Sequence, residues 1–347
     1  MKKRVVACIL AVVCIASLNG CGSKFNGQDT VVEVGDEKVT ADVANFFARY
    51  QQAQFETTYS SYLGDDFWGK EVTDGKTYEE NYKDSIMDSL EEMYILDEHK
   101  DDYKVSLSDD EEKSIKDAAK KFTDSNDSAA KDTVSGDEKT VKKVLELLTL
   151  QKKMETAMTA DVDTNVSDEE AAQKKMQYVL FSTKTTGSDG KATDMSDDEK
   201  AEVKKKAEDF QKDAASAEDF SVFATAVGAS ATDLTFDSDT TSPNEDLIKA
   251  ADKLKEGEVT DVIEADNGYY VAKVVGLLDR VATDTKKESI VSQRKSDQYQ
   301  SICKKWKKKT DIKVHKKVWN TISFADQGVT VKSTTEDTDT SSDSSSK

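Results

Sequence analysis

Apolar and polar positions change rhythm several times along this chain. An unbroken apolar run from Val5 to Ala16 opens it, behind Lys2, Lys3 and Arg4. Residues 31–40, VVEVGDEKVT, alternate about Gly35-Asp36 and predict a short hairpin or strand pair. From Ala41 the period lengthens, with Val43, Phe46, Phe47, Tyr50, Tyr59 and Tyr62 recurring at helical spacing. Tyr82, Ile86, Leu90 and Met93 form the stripe of a second helix, with Asp97 as its solvent boundary. Ser108 to Glu111 has the form of a capping box ahead of Ile115, Ala119 and Phe122. A polar linker is expected from Thr123 to Asp137, followed by a long helix carrying Val141, Val144, Leu145, Leu148 and Met158.

Ser167 to Glu170 starts a short helix, after which MQYVLFS at 176–182 is a compact strand pattern. A second capping box, Ser196 to Glu199, leads through Val203, Ala207 and Phe210; Phe220, Phe223 and Ala224 mark a further helix. Val259 to Val262 and Tyr269 to Val275 read as strands around the Asp266-Asn267-Gly268 turn. That order, a strand, two helices, a short element and two strands, predicts a small α+β domain set between helical segments. From Thr285 the helical period returns in Ile290, Tyr299, Ile302 and Trp306, before Ile312, Val314 and Trp319 to Phe324 alternate as a β-like ending. Residues 333–347, STTEDTDTSSDSSSK, have nothing apolar to bury and predict a disordered acidic tail.

A length of 347 residues adds the expectation of two folded domains, and 49 Lys plus Arg against 69 Asp plus Glu gives a net charge of −20. Such a surface repels phosphate backbones, which argues against nucleic acid as a partner. With 7% aromatic residues the core is modest and suits elongated, largely helical modules. His99 and His315 are the two histidines, so histidine-rich metal sites and most histidine-based hydrolysis are not expected. The basic start and short apolar run read as a secretory signal. It ends in Leu18-Asn19-Gly20-Cys21, which resembles a bacterial lipobox, whose cysteine receives a diacylglycerol. Removing residues 1–20 takes three positive charges and leaves 46 against 69, a net of −23. Cys8 and Cys14 leave with the signal and Cys21 is lipidated, so Cys303 remains as a buried packing thiol and no disulfide framework exists within one chain.

Three stretches of the middle segment carry a resemblance to parvulin-type peptidyl-prolyl isomerase domains. Gln177-Tyr178-Val179-Leu180-Phe181 sits where that family has its first strand, Arg-His-Ile-Leu. Residues 247–258, LIKAADKLKEGE, match its helix and Leu-Lys-x-Gly-Glu turn. Residues 267–274, NGYYVAKV, match its final strand, Phe-Gly-Tyr-His-Ile-x-Lys-Val. With the lipobox ahead and a C-terminal helix returning to the N-terminal module, the order of parts resembles the extracytoplasmic foldase and chaperone families PrsA and SurA. The departures fall on the chemistry. Both family histidines are tyrosines, Tyr178 and Tyr270; Ser230 stands near the family's Asp or Cys; Leu247 replaces the aromatic wall and Pro243 the methionine of the proline pocket, whose other positions here are Leu234 and Phe236. A phenol with pKa near ~10 cannot reproduce the donor and acceptor exchange of an imidazole. No catalytic residue is therefore assigned with these positions changed.

The resemblance implies an α+β fold in which a helical chaperone module carries an inserted parvulin-like domain. The expected segments are a signal at 1–20, a tether at 21–30, N-terminal helices at 31–164, the parvulin-like domain at 165–282, a completing helix and strand at 283–332, and the tail at 333–347. The function it implies is binding of unfolded or newly exported polypeptides at the outer face of a bacterial cytoplasmic membrane, through a lipid anchor and without a cofactor or metal, with weak or absent isomerase activity. An active parvulin-type isomerase and a non-catalytic ligand-binding or structural surface lipoprotein are the alternatives. Two surface features stay open. Part of the aromatic stripe from Phe46 to Tyr62 is expected to line a cradle for apolar client segments. The lysines from Lys304 to Lys317 form either a solvated helix end or a face for anionic lipid or cell-wall polymer. His99, beside Asp97 and Glu98 but without a metal-ligand partner, is expected to face solvent on its helix.

Overall fold

The computed structural model describes residues 14–15, 25–64, 66–187, 190–325 and 328–330. It divides into two compact units, one formed by residues up to Asp161 together with those from Asp297, the other by Val162–Ser296. The lipobox cysteine Cys21 and the acidic tail lie outside the described residues, as does the signal apart from a two-residue ladder between Cys14–Ile15 and Val329–Thr330. The architecture is mixed α+β.

In the first unit Thr30–Val34 pairs antiparallel with Glu37–Thr40 and, on its other edge, with Ile312–Val314. Gly35 turns the hairpin at φ +56, a conformation that favours glycine. Helices Ala41–Leu63, Tyr78–Glu98, Asp109–Ser125 and Glu138–Met158 build the core, where Phe46 meets Phe122 edge-on at 5.2 Å beside buried Leu90, Met93, Val141 and Val144. Their starts are marked chemically. Thr77 with Glu80 and Ser108 with Glu111 form reciprocal capping boxes, and the Asp137 carboxylate accepts from the backbone N–H groups of Lys139 and Thr140. The expected 123–137 linker contains a helix, Ser128–Val134, capped by Asp127. Its apolar signature is only Ala130 and Val134, one turn apart, too sparse to show as periodicity.

The C-terminal segment is buried, but not as the β-like ending its alternation suggests. Of residues 312–324 only Ile312–Val314 is strand; Lys316–Trp319 is a helical turn, and residues 320–325 are held by side chains. The Lys83 ammonium donates to the carbonyls of Trp319 and Ile322, while the Glu79 carboxylate accepts from the N–H groups of Phe324 and Ala325 at 2.8 and 3.1 Å. Burial pushes the Lys83 pKa down. A smaller cluster holds Leu96, Val105, Leu150, Met154, Met158 and Cys303, where burial raises the cysteine thiol to about 12 and leaves it unreactive. His99 is not a free surface residue: its ring stacks on Trp306 at 4.1 Å and bonds Asp102 at 2.8 Å.

In the second unit Lys174–Ser182 and Gly268–Gly276 are the central pair of a four-stranded antiparallel sheet, flanked by Thr232–Phe236 and Ile263–Ala265. The expected strand at 259–262 is displaced to 263–265. Residues 257–260 still bond the 268–276 strand, through Gly257 N–H to Val274, Thr260 N–H to Ala272 and Ala272 N–H to the Thr260 hydroxyl, in a pattern too irregular for a ladder. The edge strand Thr232–Phe236 and the hairpin of Lys184–Thr186 with Ala192–Asp194 are additional to the expected elements.

Ion pairs close this unit. Arg280 grips both oxygens of Asp168 at 2.8 and 2.6 Å, Lys287 joins it at 2.5 Å, and Arg294 reaches Glu170 at 2.6 Å. These pairs fasten the first turns of the Arg280–Lys307 helix to residues 168–170 through charges rather than an apolar stripe, within the unit that ends at Ser296. Asp237 ends the edge strand. Burial opposes its ionisation, yet hydrogen bonds from Lys286, Gln173 and Thr240 hold its carboxyl down to about 2. A depressed acid contributes stability that is complete above its unfolded value of 3.8 and is lost as pH falls through about 2. Asp237→Asn is accordingly expected to cost ~2 kcal/mol at pH 7, with the gap to wild type narrowing between pH 4 and pH 2. Urea unfolding at each pH, followed by circular dichroism, measures it; a gap independent of pH would refute the assignment.

Candidate functional site

The two faces of the second sheet have different tasks. One carries Val179 and Val271 onto Phe210, Ala214, Phe220 and Ala224 of helices Asp197–Ala214 and Phe220–Ala226. The opposite face carries Met176, Tyr178 and Leu180 from one central strand and Tyr270, Ala272 and Val274 from its neighbour, a consequence of the two-residue period of strands. Register sets Tyr178 opposite Ala272 and Tyr270 opposite Leu180, so the tyrosines are diagonal neighbours. Their ring centroids are 5.9 Å apart at 51°. Tyr270 is buried and its hydroxyl accepts a 2.9 Å bond from the Asn267 side chain, whereas Tyr178 is half-buried. The pair is joined by ring packing rather than by a hydrogen bond between phenols. Gly268 starts the second strand at φ +144, and a Cβ there would stand 2.1 Å from the Phe181 carbonyl oxygen, so only glycine lets the two strands close at this end.

Helix Glu245–Asp252 covers this face. Asn244 caps it, its side-chain oxygen accepting the Leu247 N–H at 2.9 Å, and this orients Leu247, Ile248 and Ala251 inward. Leu247 and Phe236 have no exposed surface. Leu234 is half-buried opposite Met176, and Pro243 is half-buried just ahead of the cap. Ser230 is exposed in the loop before Thr232, the residue paired with Tyr178. The structure therefore brings Tyr178, Tyr270, Leu234, Phe236 and Leu247 into one cluster and leaves Ser230 outside it. A proline ring could enter between Phe236 and Leu247 only by displacing them. Two phenols, one already bonded to an amide, supply hydrogen bonds but no group that exchanges donor and acceptor roles near neutral pH. Among the described residues no group of His, Cys, Asp and Glu is arranged to hold a metal ion.

The aromatic stripe of the first unit divides along its helix. Phe46 and Phe47 are core, and burial raises the pKa of Tyr50. Phe55 lies 4.9–5.6 Å from Tyr59, Phe67, Trp68 and Tyr82, in a cluster without a periodic signature because Phe67 and Trp68 sit in a short 3-10 turn. Tyr59 is 48% exposed and Tyr62 84% exposed, so the cluster continues into open aromatic surface.

A four-stranded antiparallel sheet covered on both faces by helices, with the two positions of the family histidines on its central strands, defines a domain of the parvulin class. Residues 165–285, about a third of the chain, match the PPIC-type PPIASE domain family, and the chain thus carries a PPIC-type peptidyl-prolyl isomerase domain. Among solved structures it is similar to the foldase PrsA of Streptococcus pneumoniae, at 21% identity over 72% of this chain and 96% of that one with a TM-score of 0.28. It is similar also to PrsA of Bacillus anthracis, at 22% identity over 64% and 94% with a TM-score of 0.26. A SurA-like chaperone of Campylobacter jejuni is similar at 10% identity over 82% and 98% with a TM-score of 0.28. No curated protein matches.

Proposed function

We propose that this chain is an extracytoplasmic foldase that binds unfolded or newly exported polypeptides, anchored through lipid on Cys21 at the outer face of a bacterial cytoplasmic membrane. Its parvulin-type domain serves mainly as a structural or peptide-contacting element with weak or absent isomerase activity. The observation that carries the reading is the PPIC-type domain set into a helical unit that exposes aromatic surface at Tyr59 and Tyr62. No described helix is long and apolar enough to cross a membrane; the anchor rests on the lipobox-like Leu18-Asn19-Gly20-Cys21. Large aromatic side chains left open beside a packed cluster suit clients that expose apolar segments of many sequences.

The helical unit should work without the inserted one. Its two chain ends already meet, the Gln298 side chain donating to Asp161 at 2.6 Å and to the Met158 carbonyl at 2.7 Å, so a short Gly-Ser linker can replace 162–296 without strain. The deletion variant is expected to keep its helical circular dichroism and to delay aggregation of a denatured client nearly as well as the full chain. Tyr59→Ala with Tyr62→Ala should remove most of that delay while lowering stability by no more than about 1.5 kcal/mol, the worth of the Tyr59–Phe55 ring contact. A folded deletion variant that leaves aggregation unchanged would refute the assignment of client binding to the helical unit; loss of the delay in no aromatic variant would refute the surface.

A further inference from the structure

Residues 304–317 contain eight lysines and a single carboxylate, Asp311. Two of these lysines are used internally: Lys307 pairs with Asp88 at 2.8 Å and Glu91 at 2.7 Å, and Lys313 with Glu33 at 3.5 Å. Among the described residues the side chains of the other six make no ion pair or hydrogen bond, and all six are exposed. Complementing a helix dipole accounts for Lys304 and Lys305 in the last turn of the Arg280–Lys307 helix. It does not account for Lys316 and Lys317, which open a helical turn, where a cation is disfavoured.

The sheet strings these lysines along its edge: Lys308 and Lys309 precede the 312–314 strand at the Gly35 end, where the Gly35 N–H donates to the Asp311 carbonyl at 2.9 Å, and Lys316 and Lys317 follow it at the end nearer the N-terminus. Val314 pairs with Val32, and the His315 N–H donates to the Val31 carbonyl at 2.8 Å, so Lys316 stands at the Thr30 end of the 30–34 strand. The chain just ahead of that strand is fastened: Ala41 N–H donates to Asp29 at 2.8 Å and Asp42 N–H to Gly27 at 2.9 Å. From Cys21 to Asn26 only five residue steps remain, a reach of at most ~18 Å. A lipid on Cys21 would hold this end of the sheet close to the bilayer. There the net charge of the whole chain matters little, because at physiological ionic strength a charge acts over about 8 Å. The groups within that distance decide.

We propose that Lys304, Lys305, Lys308, Lys309, Lys316 and Lys317 form an edge that docks the helical unit onto an anionic phospholipid surface. The proposal rests on the anchor at Cys21 for its placement. The tether raises the local concentration of the bilayer to the millimolar range, so the edge needs only weak affinity to fix the orientation of the unit above it.

The test uses the chain from residue 21 onward as Cys21→Ser, which carries no lipid, and measures its sedimentation with vesicles of equal phosphatidylglycerol and phosphatidylcholine against phosphatidylcholine alone. Each lysine at an anionic surface strengthens binding about fivefold at best. Two lysines engaged at that strength already give ~25-fold, so changing all six to Gln is expected to weaken binding by ~25-fold or more at low salt. A control of equal charge in the second unit, Lys205, Lys206, Lys212, Lys249, Lys253 and Lys255 to Gln, should leave it unchanged. Absence of any preference for the anionic vesicles, or an equal loss in the control, would overturn the proposal. So would binding of soluble poly(glycerol phosphate) with no retention on vesicles, which would assign the edge to a polymer. The mass of Cys21 in protein from the producing cells reads the anchor separately. An unmodified cysteine overturns the anchor alone, and a lipidated one with no vesicle binding in the Cys21→Ser chain overturns the docking alone.

Discussion

The purified chain is expected to accelerate prolyl isomerisation of short peptides less than about tenfold over solvent, which corresponds to lowering a barrier of ~20 kcal/mol by under ~1.4 kcal/mol. Catalysis of this reaction needs a pocket for the proline ring and hydrogen bonds that favour the twisted imide. Here the two residues at the wall and floor of such a pocket, Leu247 and Phe236, are sealed into the domain core. The histidine positions hold a tyrosine pair in ring contact, with the Tyr270 hydroxyl engaged by Asn267. Restoring Tyr178→His and Tyr270→His should then fail to restore a high rate, because the imidazoles would face Leu247 and not an open cleft. The same double substitution removes an aromatic contact worth about 0.5–1.5 kcal/mol and should lower the unfolding midpoint of the domain. A strong wild-type rate that disappears in Leu247→Ala would show that pocket shape suffices and that the domain is a working isomerase.

What the sequence conceals about this site is depth, not membership. Tyr178, Tyr270, Leu234, Phe236 and Leu247 were all named by the resemblance of the 177–181, 231–235, 247–258 and 267–274 stretches to the parvulin family, and alternation along the two central strands puts the tyrosines on one face. Closure of the face depends on how far helix Glu245–Asp252 settles onto the sheet, which is set by Asn244 capping and by side-chain volumes across the contact. No local pattern encodes that distance. The four long helices of the first unit were legible because each carries an apolar stripe, and the Ser108–Glu111 capping box marks the start of one of them. Helix Ser128–Val134 and strand Thr232–Phe236 were not, the first for lack of apolar residues and the second because TDLTF buries only Phe236 fully. Nor does any periodicity reveal that Lys83 and Glu79, on a helix, hold the backbone at 319–325. Such long-range side-chain to backbone bonds replace the ladder that the alternation of Trp319, Ile322 and Phe324 had suggested.

That grip makes Phe324→Ala the substitution with the largest expected effect on stability. Phe324 is 1% exposed, 5.1 Å from the Trp68 ring and 6.2 Å from Tyr82, with the Arg49 guanidinium 5.7 Å above it. Its backbone N–H and the next are fixed by Glu79, so the segment cannot easily shift to fill the space the ring leaves. Truncating a buried phenylalanine at a site that collapses poorly costs about 3–5 kcal/mol, against a total stability on the order of 5–15 kcal/mol for a domain. All three tryptophans, Trp68, Trp306 and Trp319, belong to the first unit, so their fluorescence during urea unfolding of the full chain reads this unit alone. We expect the Phe324→Ala transition to fall to a much lower urea concentration, with the circular dichroism of the second unit persisting beyond it. Glu79→Gln, which keeps the shape but weakens two charge-assisted bonds to the same segment, should move the transition in the same direction by a smaller amount. Ending the chain after Lys309 removes the 312–314 strand together with Trp319, Ile322 and Phe324, and should leave the first unit unfolded in water. A truncated chain whose tryptophans still unfold cooperatively would show that residues 310–330 merely lie on a core complete without them, and the client-binding unit would then end with the helix at Lys307.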